Sequence, residues 1–308
     1  MIYKLRHILA IIIALATLSS CSEYQQLLKR QDNELWYREG LRYYAQHDYA
    51  KAANLMGALL TAYTGTSKAD TVTLTYANCM AKLGDYYSAA SYYQSYVKTF
   101  PSSEHCEECQ YMVGYCFYKL SPKFELDQSD TNESINALQT FMNIYPNSDR
   151  IPEAERMMKE MQDKLAYKAY KSAKLYFDLG NYMGNNYNSA VIVAQNCLRK
   201  YPDTKHREEL SYLILEAKFI QAERSVIAKQ CDRYRDTIDE YYTFSNEYPQ
   251  SQYTKRANQI LKDSEKGLRE AEKIAPPNED DLEYYRNYGN QFDRKRLFEA
   301  ENKNEFND

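Results

Sequence analysis

The feature that most constrains the fold of this chain is a short step, an aromatic residue followed by proline and small polar residues, that occurs four times. The steps occupy residues 100–103, 145–148, 201–204 and 248–251. Each follows a stretch whose apolar residues recur at helical spacing. Proline ends a helix and disfavours helical backbone in the residue before it, and a following Ser, Asn or Asp can cap the next helix. The pattern predicts amphipathic helices that stop at regular intervals.

A second, tighter break, just before a tyrosine, occurs three times along the chain. It is seen at Asp48-Tyr49, at Gly84-Asp85-Tyr86 and at Gly180-Asn181-Tyr182. Glycine suits a left-handed helix C-cap, and Asp or Asn then opens the following helix. The repeating unit is therefore helix, tight turn, helix and proline stop, which predicts an all-α fold.

The composition supports long helices with few breaks. Nine glycines and eight prolines in 308 residues are scarce for a sheet protein, which needs them at its turns, whereas the 32 tyrosines are abundant. With 27% charged and 44% hydrophobic residues, the chain is neither disordered nor a multispan membrane protein. A net charge of −4 leaves no basic footprint for a nucleic acid.

The unit resembles the tetratricopeptide repeat, a helix pair of 34 residues. The resemblance implies a right-handed superhelical array of about five helix pairs in a repeat domain spanning residues 33–265. The predicted repeats are 33–64, 70–101, 107–146, 166–202 and 210–249, followed by a capping helix at 253–273. Repeat one has Thr64 in place of the proline, and repeats three and four carry extra residues in their turns. The fifth is expected to have a long, charged first helix that continues to Asp232.

The N-terminus has the pattern of a bacterial lipoprotein signal. Lys4 and Arg6 precede an apolar run of signal-peptide length, and the run ends in Leu18-Ser19-Ser20-Cys21. We predict a signal peptide at 1–20, with diacylglycerol and an N-acyl chain on Cys21 and no other cofactor. A lipidated linker follows at 21–32. We expect an outer-membrane anchor facing the periplasm; the alternative is an ordinary signal peptide with a chance cysteine.

The remaining six cysteines include a C-x-x-C pair, Cys106 and Cys109, which could indicate a redox or zinc site. Neither a βαβ context nor a second ligand pair accompanies it, so we predict small packed thiols and no metal site. A Cys106–Cys109 or Cys79–Cys116 disulfide stays open, because the periplasm is oxidising.

Together these stretches resemble the BamD family, the repeat lipoproteins of the outer-membrane β-barrel assembly machinery. The resemblance is carried by residues 33–52 close behind the lipidated cysteine, by the inserted turn at 121–131, and by the charged fifth unit at 223–249. It implies a scaffold that docks on the POTRA domains of a BamA-like barrel protein, alongside other assembly subunits. It also implies a groove for the C-terminal segment of unfolded outer-membrane β-barrel substrates.

The resemblance places that groove on the first helices of the three N-terminal repeats. The residues expected to line it are Tyr37, Tyr44, Asn78, Lys82, Tyr111, Tyr115 and Tyr118. Tyrosines at this spacing also pack between helices, so core packing is the alternative for each of them. Partner docking is expected at a charged set on the fifth helix pair, Arg224, Lys229, Arg233 and Arg235, for which a solvated face is the alternative.

No phosphate loop, nucleophile elbow or metalloprotease motif occurs, so we expect no enzymatic activity. The second candidate function is a different periplasmic repeat lipoprotein that tethers envelope or cell-division proteins. A glycan-binding lipoprotein is a third class, but a single tryptophan disfavours sugar stacking. The polar tail at 276–308 is expected to be partly disordered alone, with a short helix near 282–300.

Overall fold

A computed structural model describes residues 23–274 and the isolated positions 283 and 287. All regular structure in this part of the chain is α-helical. A first helix, α1, covers residues 23–30. The others are α2 (Asn33–Ala45), α3 (Tyr49–Ala62), α4 (Ala69–Leu83), α5 (Tyr86–Thr99), α6 (Cys106–Leu120), α7 (Ser129–Ile144), α8 (Ile151–Leu179), α9 (Asn186–Lys200), α10 (Arg207–Glu223), α11 (Ile227–Glu247) and α12 (Thr254–Ile274).

The helices form five successive pairs, from α2 with α3 to α10 with α11, and α12 follows the last pair. The predicted all-α array of about five helix pairs with a final capping helix is therefore confirmed. The predicted signal peptide and lipidation site at Cys21 lie outside the described residues. The predicted tail at 276–308 also lies outside them, apart from positions 283 and 287.

The chain divides into two compact units, residues 1–161 and 162–308, with the boundary inside α8. In the first unit the core is built from buried residues such as Leu55, Tyr93 and Phe141 on the second helices of the pairs. In the second unit, α8, α9 and α10 share one apolar cluster, and α10, α11 and α12 share another. Each helix thus buries one face against its neighbours, as an amphipathic repeat requires.

The four aromatic-proline steps adopt one recurring turn. The aromatic residue donates its backbone N–H to the carbonyl four residues earlier, as in Phe100 to Tyr96 at 2.8 Å. Three residues further on, a hydroxyl side chain accepts the N–H two residues beyond it. The four hydroxyl residues are Ser103, Ser148, Thr204 and Ser251. The prediction that this polar residue caps the next helix is wrong, because its hydroxyl orders the turn, and the cap residues of α6 and α10, His105 and His206, form no side-chain cap bond.

Repeat one builds a turn of the same kind without proline. Tyr63 takes the aromatic position and donates its backbone N–H to Leu59. Gly65 adopts a left-handed backbone with φ 77°, and Thr66 accepts the N–H of Lys68 through its hydroxyl. The left-handed backbone of Gly65 and the hydrogen bond to the Thr66 hydroxyl thus form the turn that proline forms in the other repeats.

The tight turns inside the pairs are capped as predicted in repeats one and two. Asp48 accepts the N–H of Lys51, and Asp85 accepts that of Ser88. Gly84 ends α4 with φ 85°, and His47 takes a left-handed φ of 62° at the corresponding point of repeat one. A non-glycine residue rarely adopts this backbone. Repeat one therefore forms the same turn as repeat two although it has no glycine at this point.

The turn of repeat four differs from the prediction. The sequence predicts that the second helix of this pair opens at Asn181-Tyr182, but Tyr182 lies in the loop and is 69% exposed. Tyr187, three residues before the buried Ala190, takes the packed tyrosine position and is only 8% exposed. The reason is the insertion, which delays the start of α9 until Asn185 caps it by accepting the N–H of Asn188.

The fifth pair also corrects a prediction. A long first helix continuing to Asp232 was expected, but α10 ends at Glu223. The chain turns at residues 224–226, where Ser225 donates its hydroxyl to the carbonyl of Gln221. The charged residues from Lys229 onward therefore belong to α11, the second helix of the pair.

All six cysteines within the described residues are free thiols, so neither disulfide left open by the sequence is present. Five are buried, and burial raises the pKa of Cys79, Cys109 and Cys116 to about 12. These thiols pack as small apolar groups. Across residues 23–274, no helix is both long enough and apolar enough to cross a membrane.

Candidate functional site

A cavity of about 530 Å³ opens among α2, α4, α5 and α6 in the first unit, and we call it the N-terminal cavity. Its lining combines aromatic and aliphatic side chains with a few polar groups, the composition that ligand sites usually have. The lining residues are Tyr44, Leu74, Asn78, Ala81, Lys82, Tyr86, Tyr93, His105, Glu108, Met112 and Tyr115.

Asn78 on α4 is held in place by two tyrosines that also line this cavity. Tyr93 on α5 donates its hydroxyl to Oδ1 of Asn78 at 2.6 Å. A hydrogen bond from Asn78 also reaches Tyr44, lowering the pKa of that phenol by less than burial raises it. Both tyrosines have raised pKa values because they are removed from water. The amide is therefore fixed in one orientation, with its polar atoms among phenol hydroxyls.

The charged side chains that line the cavity, Lys82 and Glu108, form no ion pair with each other. Glu108 is engaged by Arg150, whose guanidinium lies 2.5 Å from a carboxylate oxygen of Glu108. Lys82 is exposed in the last turn of α4, and none of the acidic side chains in the described residues forms an ion pair with it. A ligand with a carboxylate or with free backbone carbonyls would find a donor there.

Four of the seven residues predicted for a groove line this cavity: Tyr44, Asn78, Lys82 and Tyr115. Tyr37 lies two helical turns before Tyr44 and packs against Tyr63, with the ammonium of Lys68 4.7 Å from its ring centre. The structure thus does not bring Tyr37 to the N-terminal cavity, because position along the helix matters as well as its face.

Tyr111 and Tyr118 also lie outside the N-terminal cavity. Tyr111 is only 2% exposed and packs edge-on against Phe141, with Arg150 over its ring. Tyr118 donates its hydroxyl to Glu160. At about 100° per residue, Tyr111 is roughly 60° around α6 from Glu108. That rotation turns it from the cavity towards the interior of its own repeat.

Sequence reasoning missed seven of the lining residues, including His105, which immediately precedes α6, and Glu108 in the first turn of α6. One signal was available in the helical spacing of Glu108, Met112 and Tyr115, which puts them on one face of α6. The prediction followed the tyrosines of α6 instead, and two of these, Tyr111 and Tyr118, lie outside the cavity.

A larger depression of about 660 Å³ lies between residues 66–70 and 99–105, at the turns that link the first three repeats. Two of its hydroxyls are already used by the fold, since Thr66 donates to the carbonyl of Tyr63 and Ser103 bonds with Tyr96. None of the seven predicted groove residues lines it, so we assign it no ligand.

The four residues predicted for partner docking do not form one surface. Arg224 and Lys229 are exposed, and the Arg224 guanidinium lies 5.7 Å from the ring centre of Tyr187. Arg233 is half-buried and donates to the hydroxyl of Ser225. Arg235 is 8% exposed and pairs with the buried Glu272 on α12. The structure does not present Arg235 to a partner, because its side chain is buried and paired with a residue of the last helix.

Within the described residues, no group of three or more His, Cys, Asp or Glu side chains is arranged to hold a metal ion. The C-x-x-C pair lies at the start of α6, where the Cys106 thiol donates to the carbonyl of Phe100 and Cys109 is buried. The two thiols therefore pack within their repeat and do not line the N-terminal cavity.

Comparison with known families decides the identity of the chain. The family model described as YfiO, outer membrane lipoprotein, matches residues 29–184 and 179–275. The chain belongs to the YfiO family of outer membrane lipoproteins. Within the family, an outer membrane protein assembly factor BamD of Aquifex aeolicus strain VF5 is 26% identical over 238 residues, covering 75% of this chain and 76% of that protein.

A second relative supports the same assignment. The outer membrane protein assembly factor BamD of Pasteurella multocida strain Pm70 is 24% identical over 227 residues, which are 70% of this chain and 84% of that protein. Among solved structures, the TPR domain of P58(IPK) is similar at 15% identity with a TM-score of 0.37, covering 81% of this chain and 69% of that chain. The family model and the two BamD relatives confirm the predicted resemblance to the BamD family.

Proposed function

We propose that this chain is a non-enzymatic scaffold that is anchored in the outer membrane, faces the periplasm and takes part in assembling outer-membrane β-barrel proteins. The observation that carries the proposal is its membership of a family whose relatives are named outer membrane protein assembly factors. A stack of helix pairs with an open cavity is suited to holding other proteins.

The N-terminal cavity is proposed to receive the C-terminal segment of an unfolded barrel protein. Its aromatic walls at Tyr44, Tyr86 and Tyr115 can stack on apolar side chains of variable sequence. The fixed amide of Asn78 and the ammonium of Lys82 can bond the ligand backbone or its terminal carboxylate. Such a site can bind many substrates because it recognises apolar side chains and a terminal carboxylate and does not depend on one particular sequence.

The second unit is proposed to dock on the POTRA domains of a BamA-like barrel protein, with other assembly subunits. Arg224 and Lys229 remain the candidates for this contact because both are exposed, Arg224 in the turn after α10 and Lys229 in the first turn of α11. Arg233 contributes only if its bond to Ser225 opens. Arg235 has no part in this proposal, since it is buried against Glu272.

Cys21 is proposed as the site of lipid attachment. The pattern Leu18-Ser19-Ser20-Cys21 supports this, as does the lipoprotein family to which the chain belongs. Cleavage before Cys21 would remove the signal peptide and leave diacylglycerol on the thiol and an acyl chain on the new amino group. Several acyl chains hold a protein on a membrane far more firmly than one.

Affinity purification of the acylated chain from membranes tests this function. We expect a barrel protein carrying POTRA domains to co-purify, and depletion of the chain to lower the amounts of many barrel proteins together. Recovery of envelope or cell-division proteins alone, with barrel proteins unchanged on depletion, would favour the second candidate, a tethering lipoprotein. A Cys21→Ser variant should be lost from the outer membrane and should fail to restore barrel assembly.

A further inference from the structure

The helix α1 begins two residues after the proposed lipid anchor and is already part of the folded domain. Tyr24 accepts a hydrogen bond from Asn54 on α3 at 2.8 Å and packs edge-on against Tyr43. Leu27 is buried, and its carbonyl accepts the indole N–H of Trp36 at 3.0 Å. The contacts of these side chains hold α1 on repeat one from its first turn.

Only Ser22 separates Cys21 from this helix. Two residue steps span about 7 Å at most, and the headgroup layer on one side of a bilayer is about 7 Å thick. A lipid-anchored chain with so short a connection cannot hold its first repeat away from the membrane. From this geometry, and resting on the proposed acylation of Cys21, we infer that α1 and the adjoining edge of α2 lie against the headgroup layer of the membrane.

The exposed surface of this edge suits headgroups. The residues of α1 that face solvent are polar, namely Glu23, Gln25, Gln26, Lys29 and Arg30. A cavity of about 240 Å³ between α1 and α2 starts at Glu23 and is lined by Arg30 and Arg42 together with Glu39. Polar and charged groups of this kind belong in the wet headgroup layer and not in the hydrocarbon core.

The charge balance indicates how this contact is held. The four basic residues between 23 and 42 are matched by four acidic ones, and Arg42 is already bonded to Glu39 at 2.6 Å. Attraction to anionic lipid therefore contributes little, and the contact is maintained by the anchor itself. We expect the placement to be insensitive to salt, unlike that of a polybasic surface.

Trp36 is the single tryptophan of the chain and reports on this placement directly. The indole of Trp36 lies within roughly 20 Å of the anchor in any orientation of α1. This distance is the sum of the two-residue connection, one turn of α1 and the hydrogen bond from the indole to the carbonyl of Leu27. The test uses the full acylated chain in phosphatidylcholine vesicles containing lipid with a nitroxide on its headgroup. Trp36 emission is compared in vesicles with and without the nitroxide.

The matched control carries twelve Gly and Ser residues inserted between Ser22 and Glu23, which adds a root-mean-square reach of about 20 Å. We expect the headgroup nitroxide to quench Trp36 at least twice as strongly in the native chain as in this variant, at low and high salt alike. Circular dichroism should show equal helicity for the two proteins.

The possible failures are distinguishable. An N-terminal peptide without the mass of the acyl chains would overturn the proposed anchor and the membrane contact with it. An acylated chain that floats with the vesicles, while Trp36 emission is unchanged by the nitroxide, would overturn the membrane contact alone. Equal quenching of the native chain and the insertion variant would also overturn it, because the short connection would then have no effect.

Discussion

Tyr93 donates its hydroxyl to Oδ1 of Asn78 over 2.6 Å and so joins a packing residue to a candidate binding residue. Tyr93 occupies the aromatic position of its repeat and is almost fully buried. Asn78 lies on the wall of the N-terminal cavity. A buried phenol needs a hydrogen-bond partner, and here the partner is Oδ1 of Asn78. The bond therefore fixes the orientation of the Asn78 amide, including its NH₂ group.

Removing that hydroxyl should separate binding from stability. We expect Tyr93→Phe to lower the free energy of unfolding by about 1 kcal/mol and to weaken binding of a barrel C-terminal peptide. The control is Tyr96→Phe, on the same helix, whose hydroxyl bonds Ser103 at 2.7 Å outside the cavity. Urea unfolding and peptide titration should show similar stability losses for both variants but weaker binding only for Tyr93→Phe. Equal binding by the two would remove Asn78 from the site.

Lys82 should act on the ligand through its charge. We expect Lys82→Gln to weaken binding of a peptide with a free terminal carboxylate several-fold and to have little effect on the amidated peptide. Lys119 is the matched control, because it occupies the last turn of α6 as Lys82 does that of α4 and lies outside the cavity. A similar loss in Lys119→Gln would mean that only long-range charge is involved.

Two helical glycines at close contacts should respond differently to alanine. A Cβ on Gly114 would lie 2.5 Å from Cδ2 of Leu138 and 3.2 Å from its backbone nitrogen, so overpacking should cost about 1–3 kcal/mol. A Cβ on Gly40 would meet mainly the flexible end of Met56, at 2.6 Å. Because alanine favours helix by about 1 kcal/mol, Gly40→Ala should be close to neutral. Thermal unfolding distinguishes them, and equal midpoints would contradict this packing.

The buried pair of Arg235 and Glu272 should stabilise the attachment of α12. Breaking it with Arg235→Met leaves a buried carboxylate, and we expect a loss of about 3 kcal/mol. The double variant Arg235→Met with Glu272→Leu should recover much of that loss. Arg224→Met, at an exposed position, is the control and should change the urea midpoint little. An unaffected Arg235→Met variant would return Arg235 to the candidates for partner docking.

The sequence was sufficient to predict the helix pairs because their ends depend on local chemistry. Proline, a capping aspartate such as Asp85, and the hydroxyl of Ser103 each act within a few residues. The insertion in repeat four was visible, but its effect on register was not. The tyrosine that packs there, Tyr187, is determined by where Asn185 caps α9.

The candidate site could be predicted only in part, because a side chain's environment depends on helix rotation and on distant partners. Tyr111 and Tyr115 are four residues apart on α6, yet only Tyr115 reaches the cavity. Arg235 looked like part of a charged face until Glu272, 37 residues later, was found beside it. Residue spacing on one helix contains neither piece of information.

The central claim, that the N-terminal cavity receives barrel substrates, is tested most directly by photo-crosslinking in cells. A photoreactive amino acid is placed at Tyr115, which lines the cavity, and separately at Tyr118, which lies on the same helix and bonds Glu160 outside it. We predict adducts with unfolded barrel proteins from position 115 and few from position 118. Adducts of equal yield from both positions, or none from position 115, would contradict the account.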